Sequence, residues 1–483
     1  MTSLHPTSIP TRRTTPLWVA PAGAAALWAG SLPAILLGLD TSRGAYDALN
    51  YHLPTIRMLA ERFPAIPIAS EDYLVVMTPG YHLLVALAAR LGAGLIGMQI
   101  VGSLFTLALL VTLSLVCAVA SGPRRALVLM VPFAVSLYVF SAGVWLLPDN
   151  AAWLMVLVIL ALALRPRVDR WTLIGGGLAL CALVMVRQNH IWAAAPLWAA
   201  AWLGPTRARP ELAPDPLQEP GSRIGWGALA LVATLPAFGL LGYFAAAWGG
   251  SLVPPVFQEM YRADSLGTFE APLFFLAVFG LLSAPLASMV GSTIVDLWAW
   301  RRWQLIAAPV AAGAAALTLN TTFSVPGGRF SGMWNITHEI DCLLGLHGLS
   351  PTISPTMVLA IAFGALMLLI WISALRVRDR WIFGAAIAGF AAAQCASYFV
   401  WQRYHEPFVL MLLALMAARL PSPEQRIGVR GRKQPLIGPA LLTLLLLALT
   451  VQHFATENPA VVVGRDRLFL TADREVTAPP GCE

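Results

Sequence analysis

The sequence predicts an all-α protein, a polytopic bundle of roughly thirteen membrane-spanning helices, and three observations carry that prediction. Fifty-eight per cent of the 483 residues are hydrophobic and only 11% are charged, far from the balance of a soluble domain. Several apolar runs approach the roughly 20 residues a helix needs to cross a bilayer. The arginines fall in short clusters between those runs, where determinants of topology belong. The formal net charge of +7 forms no basic stripe interleaved with aromatics, which argues against nucleic acid and leaves the lipid bilayer as the partner. Of five cysteines, Cys117, Cys181 and Cys395 lie in apolar runs and Cys342 and Cys482 in polar ones. Their spacing suits no metal and allows at most a single disulfide.

The first thirteen residues are polar and basic. The apolar run at 17–39 exceeds the 7–15 residues of a signal-peptide core, so it reads as a retained first helix with a cytoplasmic N-terminus. The next stretch, 40–80, is the first long polar interruption, with Asp47, His52, Glu71 and Asp72 among prolines 54, 64, 67 and 79. It is expected to form a loop outside the cytoplasm. Within it, YHLPTIRMLAERF carries apolar residues at helical spacing and predicts an amphipathic helix on the membrane surface. Asp47 stands just before that helix, where a carboxylate either caps it or accepts a proton.

The run at 78–91 covers roughly 21 Å as a helix and is broken by Gly-Ala-Gly at 92–94, so it is expected to sit at or in the membrane without crossing it. Spans are then expected near 17–39, 95–120, 126–147, 150–164, 171–187, 191–204, 226–248, 273–299, 303–320, 356–376, 381–400, 407–420 and 435–455. This register puts Arg124/Arg125, 165–170, 204–223, Arg301/Arg302, 376–380 and 419–433 in the cytoplasm. The patches 40–77, 148–150, 187–190, 249–271, 321–355 and 402–406 fall on the other side. One membrane domain, 1–455, and an outer tail, 456–483, result, in a multi-pass protein of the plasma or inner membrane.

Three outer patches stand at helix mouths. Pro148-Asp149-Asn150 suits a turn as readily as a site. Arg187-Gln188-Asn189-His190 interrupts two apolar runs, and an arginine near the membrane core costs about 2.5–3.5 kcal/mol unless it faces a polar cavity or an anion. Gln402-Arg403-Tyr404-His405-Glu406-Pro407 supplies a second arginine. Two guanidinium groups arriving from separate helices suit a phosphate. The patch 321–355, with Arg329, His338, Glu339, Asp341 and His347, is expected to be an acceptor or lid loop; His338-Glu339 lacks the second histidine of a zinc helix.

Taken in order, Asp47 with His52-Leu53-Pro54, Thr78-Pro79-Gly80-Tyr81, Arg187-Gln188-Asn189-His190-Ile191-Trp192 and Arg403-Tyr404-His405-Glu406-Pro407 resemble the motifs of the GT-C superfamily of polytopic glycosyltransferases. The likeness is greatest to the eukaryotic dolichyl-phosphate-glucose-dependent α-1,2-glucosyltransferases. A single acid precedes the histidine here, and one proline of that family's Pro-Pro is missing. The resemblance implies a hexosyltransferase that takes its sugar from a polyprenyl-phosphate donor and works outside the cytoplasm by an inverting mechanism. It implies Asp47 as base, Arg187 and Arg403 on the donor phosphate, and His52, Asp149, Asn150, Gln188 and Tyr404 on sugar or acceptor. The hexose and the acceptor, glycan or lipid, stay open. No cofactor is required, and Glu71-Asp72 is the pair able to hold a divalent metal. The alternatives are a secondary transporter or flippase, which would place ionisable residues near the midplane, and a non-catalytic assembly factor.

Overall fold

The computed structural model describes residues 15–38, 43–204, 222–261, 268–322, 332–346, 350, 352–397, 399–421 and 436–456. Arg329, His347, the 205–221 connector and the tail from 457 lie outside the described residues. Every described element is helical. The helices are α1 (Val19–Leu37), α2 (Arg43–Asp47), α3 (Leu53–Arg62), α4 (Gly80–Arg90), α5 (Leu95–Ser121), α6 (Pro123–Ala134), α7 (Leu137–Val144), α8 (Asp149–Ala163) and α9 (Arg170–Val186). They continue as α10 (Ala194–Leu203), α11 (Ser222–Ala247), α12 (Glu270–Ser283), α13 (Gly291–Leu317), α14 (Met333–Leu343), α15 (Pro355–Ala374), α16 (Val377–Cys395), α17 (Gln402–Arg419) and α18 (Ile437–Thr456).

Among the described residues, six stretches are long and apolar enough to cross a membrane: Val19–Leu37, Leu95–Ser121, Arg223–Ala247, Glu270–Met289, Pro355–Ala374 and Ile437–Phe454. The pair α6 and α7, bent by 77°, makes up to a seventh. This is the architecture of a multi-pass helical membrane protein. Each of the thirteen expected segments has a helical counterpart, but several are too short or too charged to count as independent spans.

Local chemistry explains the breaks. Gly122, at φ +87°, reverses the chain after α5, and Pro123 then opens α6, where its missing N–H is no loss. The segment expected to run unbroken over 126–147 instead bends at Val135–Ser136, just past Pro132. Asp169 accepts from the Thr172 backbone N–H at 2.7 Å and caps α9. The expected break between 299 and 303 is present as non-helical backbone at Arg301 (φ −141°, ψ 33°), a kink joining two helical pieces within α13, while the segment expected to run unbroken over 273–299 is interrupted by the 3-10 turn Ala284–Met289. α12 and α15 pack backbone to backbone: a Cβ on Gly280 would come within 2.8 Å of Gly364 Cα, and one on Gly364 would strike the Leu276 carbonyl. Small residues at such contacts are how helices associate where lipid removes the hydrophobic drive.

At the centre stands α17, buried continuously from Tyr404 to Ala418. A helix apolar all round belongs inside a bundle, and α5, α6 and α12 surround it. The two ends of the bundle differ in chemistry. At one end, Arg125 donates to the Ala417 carbonyl at 2.7 Å, Arg378 to Ala163 at 2.9 Å and Arg419 to Leu164 at 3.1 Å, while Arg419 pairs with Asp379 at 3.0 Å. These arginines satisfy carbonyls that helix C-termini leave without partners. The other end gathers the start of α8, the end of α9, the start of α17 and the whole 43–79 segment. Arg125 and Arg419 share an end, as they must if α4 does not cross; α4 has only 11 residues.

Candidate functional site

The site is assembled from helix termini. After α9 the chain leaves helical geometry at Arg187 (φ −158°, ψ 99°) and enters the 3-10 turn Gln188–Ala193, which swings the Arg187 side chain inward. Asp149 occupies the first turn of α8 behind Pro148. There the unpaired N–H groups of a helix start favour a carboxylate. Arg187 Nη1 donates to Asp149 Oδ1, and the two side chains are only 7% and 15% exposed. From the start of α17, Arg403 Nη1 donates to Asp47 Oδ2 at 2.5 Å. Tyr404 lies between the two arginines, its ring centroid 4.7 Å from the Arg187 guanidinium carbon and 5.1 Å from that of Arg403. Its hydroxyl accepts from Arg403 Nη2 at 3.2 Å. Two cations stacked on one aromatic ring are each neutralised by a carboxylate.

Asp47 is not the N-cap that the local sequence allows. It sits in helical geometry (φ −59°, ψ −44°) with no capping bond, and the chain runs from α2 through a π-helical turn, Ala48–His52, straight into α3. Such turns recur at functional sites because the extra residue re-aims side chains; here Asp47 and His52 both line one cavity. The expectation of a surface-lying amphipathic helix is corrected too: the apolar face of α3 is covered by protein, with Ile56 and Leu59 fully buried, and α3 packs on α4.

The cavity holds about 240 Å³ and is bounded by Tyr46, Asp47, Tyr51, His52, Tyr261, Trp401, Arg403 and Tyr404, with an apolar wall of Leu74–Met77, Phe257, Met260 and Phe399. That is below the roughly 300–1,000 Å³ of ordinary ligand pockets, and suits one sugar ring or a phosphate. Arg403 Nε is buried and has no acceptor. Tyr51, Phe257, Tyr261 and Phe399 form a chain of edge-on ring contacts along the wall. Burial raises the phenol of Tyr261 above its usual value, so it remains an O–H donor. Tyr261 was not singled out by sequence because it lies in the 249–271 patch, none of whose residues forms part of a recognised motif.

A larger hollow of about 480 Å³ lies at the opposite end, beside Asp296, Trp300, Arg301 and Arg380. Its Arg380 guanidinium is engaged by the carbonyls of Leu375 at 2.7 Å and Ser373 at 2.5 Å.

Four residues expected at the site do not border the cavity: Arg187 and Asp149, which pair with each other, and Gln188 and Asn150, which are turned to other work. Gln188 accepts from Thr78 N–H at 3.1 Å and donates to the carbonyls of Val76 and Leu252, both at 2.9 Å, tying three loops together. Asn150 donates to Thr106 Oγ1 at 2.7 Å and the Val139 carbonyl at 2.8 Å, which fixes α8 to α5 and α7. Neither borders the cavity. Nor does the described part of the 321–355 loop act there directly. Asp341 accepts from Ser354 Oγ and from Thr356 N–H at 3.0 Å, securing the start of α15, and Trp334 Nε1 donates to the Val400 carbonyl at 3.3 Å, bracing the approach to Arg403. His338 Nε2 faces Cys342 Sγ at 3.6 Å. Glu71 is exposed, while Asp72 pairs with Arg62 at 2.5 Å on the surface, and no group of three or more metal-ligating side chains occurs among the described residues.

His52 stands within reach of both ion pairs. Burial pushes its imidazole down to about 4, an effect that Asp47 and Asp149 oppose and that Arg403 and Arg187 reinforce. No family model, curated protein or solved structure matches this chain, so the reading of the site rests on its geometry.

Two predictions follow from these contacts. Arg187→Gln alone and Asp149→Asn alone each leave a buried charge unpaired and should each destabilise the protein by about 3–5 kcal/mol, whereas the double substitution should recover most of the loss; denaturation of the four variants in detergent measures the coupling, and simple additivity would refute the pair. The second concerns pH. The folded state holds His52 below its ordinary value of 6.5, so between about pH 6.5 and 4 the unfolded chain binds a proton the folded chain refuses. Stability from this group is full above pH 6.5 and drains as pH falls towards 4. Thermal unfolding should show that loss in the wild type and a smaller one in His52→Gln.

Proposed function

We propose that this protein is a membrane hexosyltransferase of the polyprenyl-phosphate-sugar-dependent kind. The observation that carries the reading is Arg403 at the wall of a sugar-sized cavity, paired with Asp47 and stacked on Tyr404, whose ring the Arg187 guanidinium also contacts from outside the cavity lining. Guanidinium forks match phosphate oxygens, and the apolar wall of Leu74–Met77 and Met260 suits the first units of a prenyl chain.

The resting ion pairs supply a mechanism. Without donor, Asp47 and Arg403 neutralise each other. A donor phosphate competes for Arg403 and frees the Asp47 carboxylate next to the sugar. The acceptor hydroxyl oxygen then bonds to the anomeric carbon from the face opposite the phosphate, and its proton passes to Asp47. The bond from the anomeric carbon to the phosphate oxygen breaks, with its electron pair leaving on the polyprenyl phosphate, where Arg403 and Arg187 stabilise the charge. Configuration inverts. Asp149 holds Arg187 in place, and Tyr404 spaces the two cations. This chemistry needs no metal ion if the arginines carry the charge.

An outer location for the site is favoured by the arginine-rich character of the opposite end, the side on which cytoplasmic loops concentrate basic residues. Cys342, in the region read as an outer loop, is disulfide-bonded, and such bonds persist on the oxidising side of a membrane.

Purified protein in liposomes, supplied with radiolabelled polyprenyl-phosphate hexoses and a membrane extract as acceptor source, should transfer label. Asp47→Asn should lower the rate by about 10²–10⁴ fold while leaving donor binding in place, the usual worth of a general base. Unchanged activity in Asp47→Asn removes the base, and movement of label across the bilayer without covalent transfer favours a transporter. Reporters fused after residue 215 and at the C-terminus should report the cytosolic and outer sides respectively.

A further inference from the structure

The hollow of about 480 Å³ at the far end of the bundle has the size of an ordinary ligand pocket, and no step of the proposed reaction uses it. Two stretches able to cross a membrane end beside it. Glu270–Met289 stops just short of Ser292, and Pro355–Ala374 stops within the lining, which includes Ser373, Ala374 and Leu375. A space framed by the ends of two spans lies at the level of lipid head groups and not of acyl chains.

The start of α13 suits that level. Its first part, 291–300, follows directly on the end of one span and runs to Arg301, where the backbone leaves helical geometry. Thr293, Asp296, Leu297 and Trp300 recur at the spacing of one helix face, and all four line the hollow. Val295, Trp298 and Trp303 are exposed instead, and tryptophan collects at the boundary between membrane and water. This part of α13 therefore lies along the boundary with one face turned to the hollow.

Two opposite charges border the space without being spent on each other. Among the described residues neither Asp296 nor Arg301 has a side-chain ion pair or hydrogen bond, and both are exposed. Arg380 is committed to the Leu375 and Ser373 carbonyls at the end of α15, where the negative end of the helix dipole offsets its charge. A phosphate group by itself would attract Arg301 and be repelled by Asp296. A head group with a phosphodiester and, an ethylene link away, a primary ammonium satisfies both, with the guanidinium on phosphate oxygens and the carboxylate on the ammonium protons. Trp300, on the same face as Asp296, offers that ammonium a ring as well.

We propose that this hollow is a head-group site for phosphatidylethanolamine, with Arg301 on the phosphodiester and Asp296 on the ammonium. A glycerol head group brings no cation for Asp296, and a choline head group has no N–H to donate. The site is independent of the glycosyltransferase reading and stands or falls without it.

Native mass spectrometry of the full-length protein tests it, with titration in detergent by phosphatidylethanolamine, phosphatidylglycerol or phosphatidylcholine of identical acyl chains. The wild type should hold the ethanolamine lipid about three- to fivefold more tightly than either of the others, the scale of a solvent-accessible ion pair. Asp296→Asn should abolish the preference over phosphatidylglycerol, and Arg301→Gln should weaken retention of the ethanolamine lipid. Arg302→Gln, one residue outside the lining, should leave the order of the lipids unchanged. Both site residues are exposed and unpaired, so their variants should melt with the wild type; a marked loss of stability in either shows its side chain bound within the protein and overturns the proposal. Equal retention of the three lipids, tightest retention of phosphatidylglycerol, or an ethanolamine preference that survives Asp296→Asn or is lost in Arg302→Gln overturns it too.

Discussion

Two arginines among helix ends, Arg187 buried and Arg403 partly so, must each be neutralised, and the way this protein does so organises its functional end. Removing a guanidinium from water is costly unless a carboxylate and further hydrogen bonds replace the solvent. Asp149 reaches Arg187 from the start of α8, Asp47 reaches Arg403 across 356 residues of sequence, and Tyr404 fills the space between the cations. Because the four charged groups come from α2, α8, α9 and α17, the pairs also fix how those elements meet. The charge balance is closed in the resting state but not the hydrogen bonding, since Arg403 Nε has no acceptor.

Much of the architecture was legible because membrane helices are written in composition. Apolar runs near 17–39, 95–120, 226–248, 356–376 and 435–455 became helices at nearly those bounds, and the interruption at Arg187-Gln188-Asn189-His190 became a real break whose first residue turns inward. Other features depended on partners that sequence does not announce. The helix expected across 126–147 bends at Val135–Ser136, and the one expected across 273–299 is interrupted at Ala284–Met289. Gln188 and Asn150 read as site residues from their polarity, yet their amides are consumed by backbone and side chains 11 to 112 positions away. Asp47 read locally as a cap because the π-helical turn that carries the chain past it has no sequence signature.

His82 shows the limit most clearly. It lies in an otherwise apolar helix, and only the fold sets it against His52. Gln188 and the Val184 carbonyl hold Thr78 by its N–H and hydroxyl, so residues that looked catalytic by polarity serve the site at one remove.

The central claim is that the arginine end of α17 is a receptor for an anionic lipid head group. Binding of polyprenyl monophosphate to protein in nanodiscs, set against the uncharged polyprenol of the same length, tests it most directly. The account expects the phosphate to bind at least about tenfold more tightly, a difference of 1.4 kcal/mol, and expects that preference to disappear in Arg403→Gln. Equal affinity for the phosphate and the alcohol, or a preference untouched by Arg403→Gln, would contradict it.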